Sequence, residues 1–161
     1  MKRLALILLL SLVPYGFAFA SPTDGAARAI QKGDYKAAVK KLRPLVEKGD
    51  AMAQFYLGTM MYEGQGVDPD TTAAIDLLTK ASAQKNTRAM GMLTSYLFSR
   101  HRDEQDLIDA YVWSHLAAEY DPIQAMTSAR FVLEQYCNPD QTSKAEKSMD
   151  DWRARWKRES R

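Results

Sequence analysis

The sequence has few of the side chains that carry catalytic or metal chemistry. Its 161 residues include two histidines and one cysteine, Cys137. A single thiol cannot close an internal disulfide, so the fold has to be stabilised by packing alone. Cys137 is expected to be a small buried side chain, with an intermolecular disulfide as the alternative. His101 and His115 are 14 residues apart, which is not the spacing of a metal site, and no metal or cofactor is expected.

Nucleophile and phosphate motifs are also missing. The chain has no G-x-S-x-G segment, and no histidine lies near Cys137 in the sequence. Gly64-Gln65-Gly66 follows no predicted strand and precedes no Lys-Ser/Thr pair, so it is interpreted as a turn. Five carboxylates are interpreted as exposed turn acids and a helix cap instead of a catalytic pair. They are Asp68, Asp70, Asp103, Glu104 and Asp106. These absences predict that the protein is not an enzyme.

A long apolar run occurs only near the N-terminus. Lys2 and Arg3 precede an apolar stretch over residues 4–13, and Ala18-Phe19-Ala20 supplies small residues at the two positions that a signal peptidase recognises. We expect a signal peptide over residues 1–20, cut between Ala20 and Ser21, with an uncleaved anchor as the alternative. The mature domain, residues 21–161, is then expected to be periplasmic or secreted, without insertion into a membrane.

The mature chain has no excess of one charge. Without Lys2 and Arg3 it has 20 basic and 20 acidic residues. A neutral chain has no bulk electrostatic reason to bind nucleic acid or an anionic membrane. The C-terminal segment is rich in basic residues that alternate with acids, and it is interpreted as a solvated helix face, with contact to an anionic partner as the alternative. Its basic residues are Arg153, Arg155, Lys157 and Arg158.

The clearest positive signal is a repeat with a period of 36 residues. Small and acidic residues recur at this interval: Asp34, Asp70 and Asp106; Ala38, Ala74 and Ala110; Ala53, Ala89 and Ala125. A period of this size is typical of a solenoid built from helix pairs. The aspartates are expected to cap helices, and the alanines to allow neighbouring helices to approach closely.

Apolar periodicity predicts an all-α fold without strands. The predicted helices cover about residues 24–32, 34–47, 50–63, 70–84, 87–100, 105–119, 122–136 and 140–158. Pro44 is expected to kink or shorten the second helix. The units span about residues 24–49, 50–85 and 86–121, followed by a terminal cap over 122–161, where Met149, Trp152 and Trp156 form one stripe.

The second unit resembles the Sel1-like repeat family, which is related to tetratricopeptide repeats. It reads Ala53-Gln54-Phe55-Tyr56-Leu57-Gly58, Gly64-Gln65-Gly66-Val67, Asp70 and Ala74, similar to the family pattern A-x-x-x-L-G, G-x-G-V, D-x-x-x-A. The third unit has the similar segment Ala110-x-x-Trp113-x-x-x-Ala117-Ala118, but Thr94 replaces the glycine and its turn contains none. The resemblance covers about residues 30–126. It implies a right-handed α-α superhelix of about three repeats with a C-terminal capping helix, of the bacterial exported type.

The resemblance also implies a function in binding. Family members commonly act as adaptors or scaffolds in the cell envelope, in signalling or in host contact, and the first helices of their units line a concave groove. A branch that binds penicillin-like ligands depends on a disulfide in each repeat, which a single cysteine excludes here. We therefore expect an envelope adaptor that binds an unidentified protein or peptide.

Methionine and aromatic residues are concentrated on the predicted first helices, and such side chains suit adaptable peptide grooves. Phe55, Met60 and Phe98 are assigned to the core. The predicted partner-binding residues are Gln54, Met61, Arg88, Met92 and Tyr96. Three alternatives remain: a periplasmic immunity or accessory protein for an envelope toxin, an envelope hydrolase acting on a β-lactam or peptidoglycan, and repeats that only stiffen or oligomerise.

Overall fold

The fold is a stack of antiparallel helix pairs. The computed structural model describes residues 21–100, 103–121 and 135–160. These ranges contain α1 (Asp24–Gln31), α2 (Tyr35–Glu47), α3 (Ala51–Glu63), α4 (Thr71–Ala83), α5 (Thr87–Arg100), α6 (Glu104–Tyr120) and α7 (Pro139–Glu159). Each helix packs on the next, α7 packs on α6, and no strand occurs in the described ranges. The all-α solenoid prediction is therefore confirmed.

Some sequence-based predictions concern residues outside these ranges. The expected signal peptide over 1–20, His101, Ala125 and most of the helix predicted over 122–136 lie there. Within the described ranges, no helix is long and apolar enough to cross a membrane.

Aspartates determine where α2, α3 and α4 begin. The carboxylates of Asp34, Asp50 and Asp70 accept hydrogen bonds from the amides of Ala37, Ala53 and Ala73, at 3.1, 2.8 and 2.9 Å. Each bond satisfies an amide that has no partner inside its helix, and a cap of this kind stabilises a protein by about 1 kcal/mol. The predicted caps at Asp34 and Asp70 are thus confirmed.

The third unit departs from the 36-residue period. Asp103 caps α6 by accepting a hydrogen bond from the amide of Asp106 at 3.0 Å. The prediction that Asp106 is the cap, and its interpretation as an exposed turn acid, are wrong. Asp106 is 4% exposed, and its carboxylate accepts a hydrogen bond from Nε of Arg100 at 3.0 Å. Because Asp103 caps α6 three residues before Asp106, Asp106 lies inside the helix and is buried. Arg100 neutralises the buried carboxylate of Asp106.

The repeated alanines occupy equivalent, fully buried positions between helices. Ala38, Ala74 and Ala110 on the second helices of the pairs have no exposed surface, and neither do Ala53 and Ala89 on the first helices. Two clusters of apolar side chains surround them, one within α1–α3 and one extending from α4 to α7. The buried members contributed by α7 are Ala145, Met149 and Trp156, with Trp152 half-buried beside them.

Gly58 and Thr94 mark a difference between the second and third pairs. A Cβ atom on Gly58 would lie 3.1 Å from the carbonyl oxygen of Ala74 on α4. Thr94 occupies the equivalent position on α5, where its hydroxyl donates to the carbonyl of Met90 at 2.9 Å and lies 3.5 Å from that of Ala110. The third pair therefore accommodates a side chain at a position where a Cβ in the second pair would be in tight contact with α4.

The turns use positive φ angles where the chain reverses. Gly66 has a φ of 72°, and a Cβ there would lie 2.5 Å from the backbone of Tyr35, so this turn rests against the start of α2. Lys85 has a φ of 65° at the position equivalent to Gly49.

Pro44 does not shorten α2, which continues to Glu47. The carbonyl that Pro44 leaves without an intrahelical partner belongs to Lys40, an exposed residue.

Candidate partner-binding face

The first helices of the second and third units, α3 and α5, contact each other and form one surface. We call it the α3–α5 face. It is defined by six positions on each helix, related by the 36-residue period and repeating at helical spacing, and each is at least partly exposed. The residues are Met52, Phe55, Tyr56, Thr59, Tyr62 and Glu63 on α3, and Arg88, Gly91, Met92, Ser95, Phe98 and Ser99 on α5.

An aromatic contact joins the two helices beside this face. The rings of Tyr62 and Tyr96 are stacked, with centroids 3.5 Å apart and planes 4° from parallel. The hydroxyl of Tyr96 donates to a carboxylate oxygen of Glu63 at 3.5 Å. Burial, then the charge of Glu63 and the neighbouring Tyr62, raise the pKa of Tyr96 well above its ordinary value. Tyr96 therefore stays neutral and can donate this hydrogen bond to Glu63 at the edge of the face.

The face has one charged group near each end. Arg88 lies in the first turn of α5 and Glu63 in the last turn of α3, and both are exposed. The surface between them is made mainly of half-buried apolar side chains, such as Tyr56 and Met92, and of hydroxyl residues, such as Ser95. This arrangement is suited to covering an apolar segment with oppositely charged ends.

The face does not have the composition of a catalytic or metal site. In the described part of the chain, no group of three or more histidine, cysteine, aspartate and glutamate side chains could hold a metal ion. Burial raises the pKa of the Cys137 thiol, which favours the unreactive protonated form. The ring of His115 stacks on Tyr111, and its Nδ1 lies 3.0 Å from the carbonyl oxygen of Tyr111.

The five predicted binding residues are not all on this face. Arg88 and Met92 belong to it. Gln54 is 6% exposed and accepts a hydrogen bond at 2.9 Å from the side chain of Gln84 in the turn after α4. Met61 is half-buried against the first apolar cluster, and Tyr96 is 7% exposed at the position equivalent to Met60. Contact between any of the five and a partner stays a prediction.

Several residues of the face were not predicted from the sequence. Phe55 and Phe98 were assigned to the core, and they do pack against the second apolar cluster while remaining partly exposed. Thr59, Tyr62 and Ser95 were not assigned to the groove. The signal that identifies them is the repeat itself, because the partly exposed positions of α3 recur on α5 after 36 residues.

Comparisons with known proteins agree with this architecture. Residues 51–86, which contain α3 and α4, match the family model of the Sel1 repeat. Among solved structures, the chain is similar to a protective antigen present in uropathogenic Escherichia coli strains, whose crystal structure displays an SLR fold, that is, a Sel1-like repeat fold. The TM-score is 0.73 and the identity is 24%, over 81% of this chain and 29% of the antigen chain. No curated protein sequence matches the chain.

The fold and its exposed first helices define a helix-pair repeat solenoid, a class that presents extended surfaces to other macromolecules. Within that class the chain carries a Sel1-like repeat, which matches the family model at residues 51–86. The predicted family resemblance is confirmed. The chain spans 29% of the length of the antigen that it resembles. The similarity therefore establishes the fold alone, and the function of the antigen is not assigned to this chain. Sel1-like repeats are protein-interaction modules.

Proposed function

We propose that this protein is a non-catalytic adaptor of the bacterial cell envelope that holds a peptide segment of a partner protein along the α3–α5 face. The observation that carries the proposal is the half-buried stripe of aromatic and methionine side chains on two adjacent first helices, with Arg88 near one end and Glu63 near the other. The Sel1-like repeat fold supports it, because such repeats bind proteins.

The side chains of the face suit an adaptable contact. Methionine follows the shape of a partner at little cost, and aromatic rings provide a large contact area while losing few rotamers. The stripe on α3 runs from Met52 to Glu63, which corresponds to about 16 Å at the rise of an α-helix. A segment of about five extended residues covers that length.

The two charges determine the direction in which the segment binds. An acidic group on the partner is favoured next to Arg88, and a basic group next to Glu63, because like charges facing each other across an interface weaken binding. The apolar part of the segment lies between them, over Tyr56 and Met92.

The envelope location is supported by the pattern of residues 1–20, in which a basic start and an apolar run precede Ala18-Phe19-Ala20. Cell fractionation, combined with mass spectrometry of the purified protein, tests this part. A mature chain that begins at Ser21 in the periplasm or the medium supports export. An intact N-terminus in the cytoplasm contradicts it.

Site-specific photo-crosslinking tests the face itself. A photoreactive residue is placed at Ser95, on the face, and in a matched protein at Thr72, an exposed position on the second helix α4. We expect one envelope protein to crosslink from position 95 and not from position 72, and Arg88→Glu to weaken that crosslink. Equal crosslinking from both positions, or a crosslink that Arg88→Glu does not change, contradicts binding at the α3–α5 face.

A further inference from the structure

Charge is distributed unevenly between the helix pairs. Residues 21–50, which contain α1 and α2, have seven basic and four acidic residues, whereas residues 51–121 have five basic and ten acidic residues. Although the net charge of residues 21–161 is close to zero, the first helix pair is basic and the segment 51–121 that follows it is acidic. A charged partner that approaches within the Debye length, about 8 Å at physiological ionic strength, interacts with the charges of the nearest helix pair and not with the net charge of the whole chain.

The basic residues of the first pair are concentrated on the outer side of α2. Lys36, Lys40 and Arg43 have the i, i+4, i+7 spacing that places them on one helix face, and we call these three residues the α2 ridge. All three are exposed, as are Lys41 and Lys48 beside them. The opposite side of the helix is buried in the first apolar cluster through Ala38, Val39 and Leu42.

The ridge differs from the charged surface of α7 in its ion pairing within the described ranges. Among residues 21–100, 103–121 and 135–160, no ion pair involves any of the five basic residues of α2 and its C-terminal end. On α7, by contrast, Lys144 pairs with Asp140 and Glu104, and Arg153 pairs with Asp150 and Glu119. Glu47 is the one acidic residue on the exposed side of α2.

We infer that the α2 ridge docks the protein on an anionic lipid bilayer surface. Its composition favours a bilayer over an acidic protein. Protein interfaces are enriched in arginine and aromatic residues and depleted in lysine, but four of the five basic residues at α2 are lysines and the ridge contains no aromatic side chain. A charged bilayer needs no shaped pocket, and each cation near its surface increases partitioning about five-fold.

The ridge and the α3–α5 face belong to different layers of the solenoid. α2 is the second helix of its pair, whereas the α3–α5 face is formed by first helices. Bilayer docking therefore leaves that face open to a partner. The inference does not rest on the proposed partner-binding function, and each can fail without the other.

Vesicle co-sedimentation tests the inference. The protein is purified in the form in which cells accumulate it, and is mixed with vesicles of phosphatidylcholine alone or of phosphatidylcholine containing phosphatidylglycerol. The ridge variant Lys36→Gln/Lys40→Gln/Arg43→Gln is compared with a matched control, Lys147→Gln/Lys157→Gln/Arg158→Gln, which removes three exposed cations of the same types from α7. Circular dichroism melts verify that both variants fold.

We expect the wild-type protein to bind only the anionic vesicles, with affinity that falls as salt is added. The ridge variant should lose about a hundred-fold in partitioning at low salt, since three cations contribute about five-fold each, and the control should retain most of its binding. Equal losses in the two variants, equal binding to both kinds of vesicle, or no binding at all would overturn the inference. Binding to soluble polyglutamate without binding to anionic vesicles would assign the ridge to an acidic polypeptide and overturn it as well.

Discussion

The indole N–H of Trp156 on α7 donates a hydrogen bond of 2.6 Å to the backbone carbonyl of Ala83, 73 residues earlier in the chain. Ala83 is the last residue of α4, so its carbonyl has no partner within that helix. The same ring meets Tyr120 at the end of α6 edge-on, and the ammonium group of Lys85 lies 5.5 Å from its centroid. A single side chain of α7 thus contacts the C-terminal ends of both α4 and α6.

Replacing Trp156 by phenylalanine should lower the free energy of unfolding by about 1–3 kcal/mol, because the carbonyl of Ala83 loses its buried donor. Urea denaturation measures the change. The matched control is Trp152→Phe, since Trp152 is half-buried in the same cluster and its ring N–H forms no hydrogen bond within the described ranges. If both variants lose equal stability, the hydrogen bond to Ala83 contributes nothing specific.

The turn between α3 and α4 offers a second matched pair. Gly64 and Gly66 both have positive φ angles, 69° and 72°, so alanine at either position carries a backbone cost of about 1–2 kcal/mol. A Cβ on Gly64 meets Pro69 at an ordinary 3.5 Å, whereas one on Gly66 would lie 2.5 Å from the backbone of Tyr35. Gly66→Ala should therefore be clearly less stable than Gly64→Ala in urea denaturation. A ranking in the other order would mean that this turn does not rest on α2.

Gly58 and Gly25 form a third pair, in which the same substitution has opposite effects. Alanine is favoured over glycine in helices by up to about 1 kcal/mol, and a Cβ on Gly25 of α1 would meet only Lys41, at 3.7 Å. At Gly58 the new methyl group would lie 3.1 Å from the carbonyl oxygen of Ala74, and overpacking of this kind costs about 1–3 kcal/mol. Thermal melts should show Gly25→Ala slightly stabilised and Gly58→Ala destabilised. A stabilised Gly58→Ala would show that α3 and α4 can separate freely.

Asp109 makes stability depend on pH. Burial first, and then the nearby Asp106 and Asp103, raise the pKa of Asp109 in the folded protein. The folded state then holds this proton more tightly than the unfolded state, so stability decreases as the pH rises from the ordinary aspartate pKa through the raised value. Asp109→Asn should raise the melting temperature at neutral pH, and the gain should shrink on acidification.

The substitution keeps an oxygen that can accept the 2.7 Å hydrogen bond from Gln105 to the Asp109 side chain. Asp151→Asn, at an exposed position of α7, is the control for the general loss of one negative charge. Melting temperatures of the three proteins across the acidic range provide the comparison. A gain that stays constant from acidic to neutral pH would be inconsistent with the raised pKa of Asp109.

Much of the fold could be predicted because its determinants are local and repeated. The buried alanines and the capping aspartates at Asp34 and Asp70 recur at one interval, and each acts within its own helix or against its nearest neighbour. Asp106 obeys the same interval and was assigned wrongly. The environment of Asp106 depends on two other side chains, since Asp103 caps α6 one turn earlier and Arg100 pairs with the buried carboxylate of Asp106. The 36-residue spacing indicates neither the cap at Asp103 nor the pairing with Arg100.

The candidate face was predictable to a smaller extent. Arg88 and Met92 were chosen from the first helices and lie on the α3–α5 face. Gln54 and Tyr96 are predicted from the same helices, but a glutamine or a tyrosine can be buried when a neighbour satisfies its polar atoms. Gln84 does so for Gln54, and Glu63 does so for Tyr96. Those neighbours belong to other turns and helices, which a pattern along one helix does not reveal.

The hydrogen bond between Trp156 and Ala83 restricts where additional repeat units can be inserted. Tandem arrays lengthen by duplicating a unit, and a duplicate inserted after α6 would move α7 one unit further from α4. The indole would then meet the end of the copied helix, where Glu119 and Asp121 stand in place of Ala83 and Lys85. Duplication of the segment before α4 leaves this contact unchanged. We therefore expect insertions on the N-terminal side of α4 to be tolerated better than insertions after α6, and relatives with additional units to carry them there.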